Sequence, residues 1–312
     1  MKKQLSELLI CPTCLPNEFP LQTEIIEEEI GDIITGALVC PNCGARFPIE
    51  DGIAFLDLNW EWNYGVVNKY EMEETVSSYL WSHYGDLLND ENASGAYSTW
   101  AAQIRPHAGL SLDVGGAVGR FAFEMSTKCD FVIGIDTSSA FIQTARQLMK
   151  ARRMTFPLKE EGLLSRDATI VLPEGWKSEK VEFIVGDALA LPFRQDAASS
   201  FASLNLIDKV PSPLGHLDEM NRVTRDSDAQ FLLSDPFSWS EEAADREEWL
   251  GGKKTGEFSG KGLDNIVRLL EEEKGRLGLA WRAEERDGVW WKIRTHTNHY
   301  ELIRSCFVKA SR

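Results

Sequence analysis

The chain has 312 residues, 43% of them hydrophobic, and a formal net charge of −16 at pH 7. That length accommodates a small module and one full α/β domain with a substantial core. No apolar run approaches the roughly 18 residues that cross a bilayer, so we expect no membrane insertion. The acidic balance would repel a phosphate backbone and disfavours nucleic acid as a partner.

The first feature along the chain is a set of four cysteines, arranged as two CxxC pairs with 25 residues between them. Each pair can place two thiolates on one knuckle, and four thiolates complete a tetrahedral Zn²⁺ shell that leaves no position for water. We therefore predict a structural zinc site in a small zinc-ribbon-like domain over residues 1–58. Its ligands would be Cys11, Cys14, Cys40 and Cys43.

Two disulfides or a redox dithiol are the alternative use of these cysteines. The chain shows no secretory signal, and Cys129 and Cys306 stand alone in apolar settings. This pattern is typical of a reducing compartment, so it favours zinc and predicts a cytoplasmic protein. The acidic run at residues 24–32, between the pairs, is interpreted as the solvated face of a hairpin.

A stretch that reads F-P-I-E-D-G-I follows the second cysteine pair at residues 47–53. Together with the cysteine motifs it resembles the small zinc-binding activator proteins of tRNA and release-factor methyltransferases, over about the first 58 residues. In that family the domain docks on a methyltransferase and supports it. The resemblance implies that docking is intramolecular here, at a raised effective concentration, and it leaves a further protein partner open.

Residues 59–104 are rich in aromatic and acidic side chains, and we predict a helical linker that covers a cofactor or substrate. The aromatic residues are Trp60, Trp62, Tyr64, Tyr70, Tyr79, Trp81, Tyr84, Tyr97 and Trp100.

A glycine-rich turn follows at residues 112–119, which read L-D-V-G-G-A-V-G between an apolar run and a helix-forming segment. Such a turn lets a ligand approach the backbone amides closely. A second apolar strand, at 131–135, ends in Asp136, seventeen residues after Gly119. An acidic residue at that place can accept hydrogen bonds from a ribose diol, so the pair predicts a nucleoside-containing cofactor.

Further strands and helices alternate to the end of the chain. Parallel strands joined by helices predict a Rossmann-like, doubly wound, mostly parallel seven-stranded sheet with its ligand at the carboxyl ends of the strands. We predict strands at 181–185, 201–206, 230–234, 289–295 and 306–309, and helices at 138–152, 265–273 and 298–304. Residues 153–180 are interpreted as an insertion, and 237–275 as a lid.

This succession resembles the class I S-adenosylmethionine-dependent methyltransferases over residues 105–312. Their first turn, D/E-x-G-x-G-x-G, is matched with alanine at the middle glycine, where we expect a negative φ. A pyrophosphate cofactor is less favoured, because the full G-x-G-x-x-G is missing. The resemblance implies that Asp136 holds the ribose, that Asp187 and Ala188 flank the adenine and that Asn205 lies at the methionine end. The implied cofactor residues are Asp113, Gly115, Gly116, Ala117, Gly119, Asp136, Asp187, Ala188 and Asn205.

Five segments together resemble a narrower group, the methyltransferase domain that ends the ovothiol-biosynthesis enzymes. The likeness spans about residues 79–309, and that family also has alanine in the turn. Its activity is N-methylation of the imidazole of 4-mercaptohistidine. Because those enzymes carry an iron-dependent sulfoxide synthase where this chain carries a zinc module, the acceptor stays open. The segments are 79–85, 116–120, 205–209, 235–239 and 248–252.

Displacement at a sulfonium methyl needs no acid, because the leaving thioether is neutral, so alignment and desolvation can supply most of the catalysis. An imidazole, with a reference pKa near 6.5, is mostly neutral at pH 7 and needs little help from a base. We expect Asn205, Asp208 and Tyr84 to orient the acceptor, with His83 and Asp235 behind them. Asp208 could instead cap the helix near 212, and Tyr84 could only cover the cofactor.

The sequence thus predicts an S-adenosylmethionine-dependent methyltransferase that acts on a small molecule, at an imidazole or other nitrogen of a histidine-derived metabolite. Trp239 and Trp249 are candidates for the acceptor wall or for the core. The alternatives are a tRNA or protein methyltransferase aided by the zinc domain, and a non-catalytic cofactor-binding adaptor.

Overall fold

The computed structural model describes residues 1–57 and 68–312, so the predicted boundary near 58 and Trp60, Trp62 and Tyr64 lie outside the described residues. The N-terminal region begins with a short helix, α1 (Lys3–Ser6), and continues as a four-stranded antiparallel sheet. Nearly every side chain of its first strand is exposed, which confirms that the acidic run is a solvated hairpin face. The strands, paired in chain order, are β1 (Gln22–Glu29), β2 (Asp32–Val39), β3 (Arg46–Glu50) and β4 (Ile53–Ala54).

The remainder of the described chain forms a seven-stranded sheet with helices, and a separate two-stranded hairpin. The helices are α2 (Glu73–Tyr84), α3 (Ala96–Gln103), α4 (Arg120–Met125), α5 (Ser139–Ala151), α6 (Pro213–Val223) and α7 (Gly262–Glu271). The strands are β5 (Leu110–Val114), β6 (Phe131–Asp136), β7 (Arg153–Glu161), β8 (Leu164–Val171), β9 (Val181–Val185), β10 (Ala198–Leu204), β11 (Gln230–Asp235), β12 (Arg282–His296) and β13 (His299–Ser311).

The large sheet has the strand order β12-β13-β11-β10-β5-β6-β9, and this confirms the predicted seven-stranded, mostly parallel sheet. Strands β5, β6, β9, β10 and β11 run parallel, whereas β13 pairs antiparallel with β11 and β12 antiparallel with β13. Every residue of β5, β9, β10 and β11 is buried, as expected for parallel strands covered on both faces. From β5 the chain adds β6 and β9 on one side, and then β10 and β11 on the other side. This topological switch point between β5 and β10 opens a crevice at the carboxyl ends of the strands.

The predicted helix at 298–304 is wrong. Asn298 lies in the turn between β12 and β13, and residues 299–304 belong to β13, which pairs with β12 from Arg282↔Ser311 to His296↔His299. Trp291 and Ile303 are opposite each other and their side chains turn inward, whereas Trp290 and Leu302 are exposed. That alternation is the period of a strand, and pairing along two long strands outweighs the local helical preference.

The predicted insertion at 153–180 contains the β7–β8 hairpin, which pairs with no strand of the large sheet. The helix predicted at 138–152 is confirmed as α5, and the one at 265–273 as α7, which begins three residues earlier. No helix among the residues that the structure describes is long and apolar enough to cross a membrane.

The zinc-ribbon-like domain packs against β9, the edge strand of the large sheet. The Leu56 N–H donates to the carbonyl of Val185 at 2.7 Å, and the Ile10 N–H donates to that of Pro192 at 2.9 Å. A buried ion pair, Arg146 with Glu182 at 2.8 Å, lies beneath this contact. Arg146 also donates to a carbonyl of the domain, that of Gly52. Because backbone pairing, a buried charge pair and shared apolar packing meet here, the domain is part of the same core.

Candidate functional site

The glycine-rich turn connects β5 to α4 in a left-handed backbone conformation. Gly115 has φ +76° and Gly119 has φ +83°. At Gly119 glycine is also required by space, because a Cβ would lie 2.5 Å from the ring of Phe183. The expected negative φ at Ala117 is wrong, since its φ is +43°. The Ala117 N–H donates to Oδ2 of Asp136 at 3.0 Å, and this bond holds the alanine in that conformation.

Asp136 ends β6 and connects three parts of the site. Its Oδ1 accepts a hydrogen bond from the Ser138 N–H at 2.9 Å, at the start of α5, while Oδ2 holds the Ala117 N–H of the turn. Burial raises the pKa of this carboxyl to about 6, although the two backbone N–H donors act in the opposite direction. Near neutral pH the group is therefore mostly ionised.

Asp113 has a different position, underneath the turn. It is buried, and its Oδ2 accepts from the Ala122 N–H of α4 at 3.1 Å. Burial raises its pKa to about 7. The side chain does not line the cavity described below, and neither do Gly116 and Gly119. These three residues determine the conformation of the turn without contacting the cavity.

A cavity of about 590 Å³ lies at the carboxyl ends of the strands. One half is formed by the ends of β5, β6, β9 and β10, and the other half by α2, α3, β12 and β13. Six of the predicted cofactor residues line the cavity: Gly115, Ala117, Asp136, Asp187, Ala188 and Asn205. The structure therefore brings together residues from four separate strand ends, as the sequence predicts.

Asn205 follows β10 and is fixed at both its backbone and its side chain. Its φ is +56°, which asparagine tolerates better than most residues. Its N–H donates to the carbonyl of Ser234 at 2.6 Å, and its Oδ1 accepts from the hydroxyl of Ser305 at 2.5 Å. The side-chain amide nitrogen has no partner among the described residues, so it is available to a ligand in the cavity.

Asp208 does not line the cavity, but two of its neighbours do. Its Oδ2 accepts from the Ser238 N–H at 2.7 Å, and its Oδ1 lies 3.1 Å from Nζ of Lys209. It does not cap α6, since Ser212 does so by accepting from the Gly215 N–H. Asp235 is buried beside it, and burial together with the charge of Asp208 raises the pKa of Asp235 well above its usual range.

Tyr84 lies away from the cavity wall. It is fully buried, and its hydroxyl donates to the carbonyl of Val118 in the glycine-rich turn at 2.8 Å. The guanidinium of Arg120 stacks on the Tyr84 ring at 5.7 Å and donates to the carbonyl of His83 at 2.9 Å. The end of α2 is thus attached to the turn and to α4, and Tyr84 positions the turn without facing an acceptor.

His83 does line the cavity, one residue before Tyr84. Its Nε2 is 2.5 Å from the hydroxyl of Tyr97 on α3. Burial, and then the charge of Arg120, lowers the pKa of His83 well below its usual value, so the ring is neutral. Trp239 and Trp249 stack on each other at 6.5 Å, and neither lines the cavity.

Sequence reasoning missed most of the half formed by α2, β12 and β13. The sequence marks Tyr79 only as one of many aromatic residues and as the first residue of the 79–85 segment, and it singles out none of Trp291, Ile293, Glu301 and Ile303. Their signal is the alternation of inward side chains along two paired strands, with Trp291 opposite Ile303 and Ile293 opposite Glu301.

The four cysteines of the two CxxC pairs meet in one cluster. Their sulfur atoms all lie within 4.8 Å of one another, with 3.7 Å between Cys11 and Cys43 and 3.8 Å between Cys14 and Cys40. A tetrahedral ion with metal–sulfur bonds of about 2.3 Å has sulfur atoms about 3.8 Å apart. All four cysteines are free, so the disulfide alternative does not hold and the cluster can bind a metal ion.

Two segments of the chain match known families. Residues 2–52 match the family described as Trm112p-like protein, and residues 112–228 match the family described as Methyltransferase domain. Among curated proteins, none matches the chain.

Several solved structures are similar to it. An S-adenosylmethionine-dependent methyltransferase from Methanosarcina mazei is 19% identical, with a TM-score of 0.42, over 65% of this chain and 92% of that one. Haemonchus contortus phosphoethanolamine N-methyltransferase 2, in complex with S-adenosyl-L-methionine, is 14% identical, with a TM-score of 0.40. The similarity covers 61% of this chain and 37% of that one.

A complex of the Haloferax volcanii Trm112 methyltransferase activator with a methyltransferase is 13% identical, with a TM-score of 0.39, over 82% of this chain and 97% of that one. By the two matched segments, residues 2–52 with the four-cysteine cluster are similar to Trm112p-like proteins, and residues 112–228, which form part of the seven-stranded sheet, are similar to methyltransferase domains.

Proposed function

We propose that this protein transfers the methyl group of S-adenosylmethionine to a nitrogen of a small molecule, an imidazole or similar group of a histidine-derived metabolite. Asp136 is the observation on which the proposal depends. Its carboxylate joins the turn to the end of β6 and faces a cavity whose volume lies in the range of small-ligand sites.

The cofactor would occupy the half of the cavity at the strand ends. Asp136 would accept hydrogen bonds from the ribose hydroxyls, Asp187 and Ala188 would flank the adenine, and Asn205 would lie at the methionine end. Gly115 and Ala117 bring the backbone close to the ligand. Asp113, Gly116 and Gly119 act indirectly by shaping the turn.

The acceptor would lie in the half formed by α2, β12 and β13. The buried Trp291 and the side chains of Tyr79, Ile293 and Ile303 make this wall largely apolar, which suits a flat ring and excludes water. Asn205 separates the two halves and can orient the acceptor through its free amide. Asp208 would act as a positioning residue through Ser238 and Lys209.

The bound cofactor supplies an electrophilic methyl on a sulfonium, whose thioether product leaves without a proton. The protein therefore needs to hold the acceptor lone pair in line with that methyl and to keep water out. His83 stays neutral in this setting, so its ring adds no positive charge beside the sulfonium. The four cysteines would hold a structural Zn²⁺, and a cytoplasmic location stays a prediction.

Calorimetry with S-adenosylhomocysteine tests the cofactor site, and isotopically labelled S-adenosylmethionine added with the enzyme to a whole-cell extract tests the acceptor. We expect stoichiometric binding and one labelled small molecule that carries an imidazole or related nitrogen. No binding of S-adenosylhomocysteine would refute the proposal. Label that appears only in tRNA or protein would favour a macromolecular acceptor. The match to Trm112p-like proteins is the reason to test for one.

Tyr84→Phe is expected to weaken S-adenosylhomocysteine binding by about fivefold to tenfold. The substitution leaves the carbonyl of Val118 without its buried hydrogen bond and loosens the turn. Titration calorimetry measures the change. Tyr300→Phe is the control, because Tyr300 packs on Trp81 outside the cavity. This variant should bind S-adenosylhomocysteine as tightly as the unmodified protein does.

Affinity for S-adenosylhomocysteine is expected to decline below about pH 6, by roughly tenfold per pH unit. The pKa of Asp136 is raised to about 6 by burial, so the carboxyl gains its proton below that pH and loses its capacity to accept from both ribose hydroxyls. Above it the affinity should be constant. Calorimetry over this range, with circular dichroism to verify the fold, measures the profile, and a flat profile would contradict the assignment of Asp136.

A further inference from the structure

We infer that Glu301, together with the ring of Tyr79, binds a cationic amino group of the acceptor at the outer end of the cavity. The inference rests on the proposed function and adds to it a residue that determines specificity. It predicts that the acceptor carries a positive charge close to its nitrogen-bearing ring.

Glu301 is placed for this role by the β12–β13 hairpin. It lies opposite Ile293 in the strand register, and both residues line the cavity, as does Tyr79 from α2. The carboxylate is exposed at the cavity entrance. Burial raises the pKa of Tyr79, followed by the effects of Tyr70 and Asp136, and the charge of Glu301 makes the smallest contribution, so Glu301 lies within electrostatic reach of the Tyr79 hydroxyl.

Each of the other charged residues of the cavity has a partner within the protein. Asp136 and Asp187 accept backbone N–H groups, Lys209 is paired with Asp208, and Lys69 stacks on Tyr70 at 5.1 Å. Within residues 1–57 and 68–312, Glu301 has neither a salt bridge nor a side-chain hydrogen bond. Its carboxylate is therefore free to pair with a ligand.

The surroundings of Glu301 favour a cation over an anion or a neutral group. Tyr79 presents an electron-rich ring that packs on Phe141 at 4.7 Å between centroids, and Trp291, Ile293 and Ile303 complete an apolar wall. An ammonium group at the entrance meets a carboxylate and an aromatic face, whereas a carboxylate meets a like charge. The contact is partly solvated, so we expect selectivity of about tenfold.

Three imidazoles that differ in one charge test the inference on the protein loaded with S-adenosylhomocysteine. Histamine carries an ammonium group, 4-methylimidazole has no additional charge and imidazole-4-acetate carries a carboxylate. At about pH 8.5 each ring is mostly neutral, and the ammonium group of histamine stays protonated. Calorimetry should show that histamine binds about tenfold more tightly than 4-methylimidazole, and that imidazole-4-acetate binds most weakly.

Glu301→Gln should remove this preference while leaving the affinities for 4-methylimidazole and S-adenosylhomocysteine unchanged. Glu285→Gln is the matched control, since Glu285 is an exposed glutamate of β12 outside the cavity, and it should bind as the unmodified protein does. A preference for histamine that persists in Glu301→Gln overturns the inference, as does failure of the loaded protein to bind histamine. Failure of the proposed function is distinct, because S-adenosylhomocysteine itself would then not bind.

Discussion

Removing the metal ion from the four-cysteine cluster is expected to unfold the zinc-ribbon-like domain and to lower the affinity for the cofactor. Four thiolates would otherwise lie with their sulfur atoms within 4.8 Å of one another and no ion between them. For structural zinc sites the free energy of metal binding is folding free energy, on the order of 10 kcal/mol. Loss of the ion should therefore lower the thermal unfolding temperature by more than any single side-chain substitution outside the cluster.

The effect on the cofactor follows from where the domain touches the sheet. It forms backbone hydrogen bonds to Val185 and Pro192, which lie on either side of the loop that contains Asp187 and Ala188. Unfolding the domain removes support from both ends of that loop. We expect S-adenosylhomocysteine to bind at least about tenfold more weakly, a change of about 1.4 kcal/mol.

Thermal unfolding and calorimetry before and after treatment with a zinc chelator measure both effects, and Cys11→Ser provides the genetic equivalent. Cys306→Ser is the control, because Cys306 lies on β13 outside the cluster and should retain both properties. A chelated protein with unchanged melting temperature and cofactor affinity would show that the cluster is not a structural metal site.

Asp136→Asn is expected to weaken S-adenosylhomocysteine binding about a thousandfold, or roughly 4 kcal/mol. Two charge-assisted hydrogen bonds to the ribose would lose the negative acceptor, and each such bond contributes about 1.5–3 kcal/mol. The turn is affected as well. Both carboxylate oxygens accept backbone N–H groups, and an amide NH₂ would face one of these donors.

Calorimetry measures the affinity, and circular dichroism separates loss of binding from loss of fold. Asp167→Asn is the control, since Asp167 is an exposed acid on β8, outside the cavity, and should bind normally. If Asp136→Asn folds and retains its affinity within about tenfold, the ribose does not lie at the end of β6.

The half of the cavity at the strand ends could be predicted from the sequence because its signals are local. The turn at 112–119 requires glycine at positions such as Gly119, where a side chain would meet Phe183. The strand at Val181–Val185 is predicted with its observed bounds, because a short run that is apolar except for Glu182 has few other interpretations. Each of these signals is contained in fewer than ten residues.

The half of the cavity formed by α2, β12 and β13 could not be predicted in the same way, because it depends on which face of α2 is turned inward. Tyr79 and His83 are four residues apart, so they lie on one face of the helix and both line the cavity. Tyr84 is one residue further, rotated by about 100°, and bonds to the turn instead. Aromatic residues occur all round this helix, so only its packing against α4 and β12 selects the face.

The two edges of the large sheet end differently. At β9 the residues Phe55 and Leu56 continue the hydrogen-bonding pattern, so the Trm112p-like region closes an edge that would otherwise offer unpaired backbone groups to another chain. At the opposite edge, β12 lacks such a cover within the described residues and instead carries a dense series of charged side chains, from Arg282 to Lys292. Fusion of the two regions in one polypeptide therefore also protects the protein against edge-to-edge aggregation.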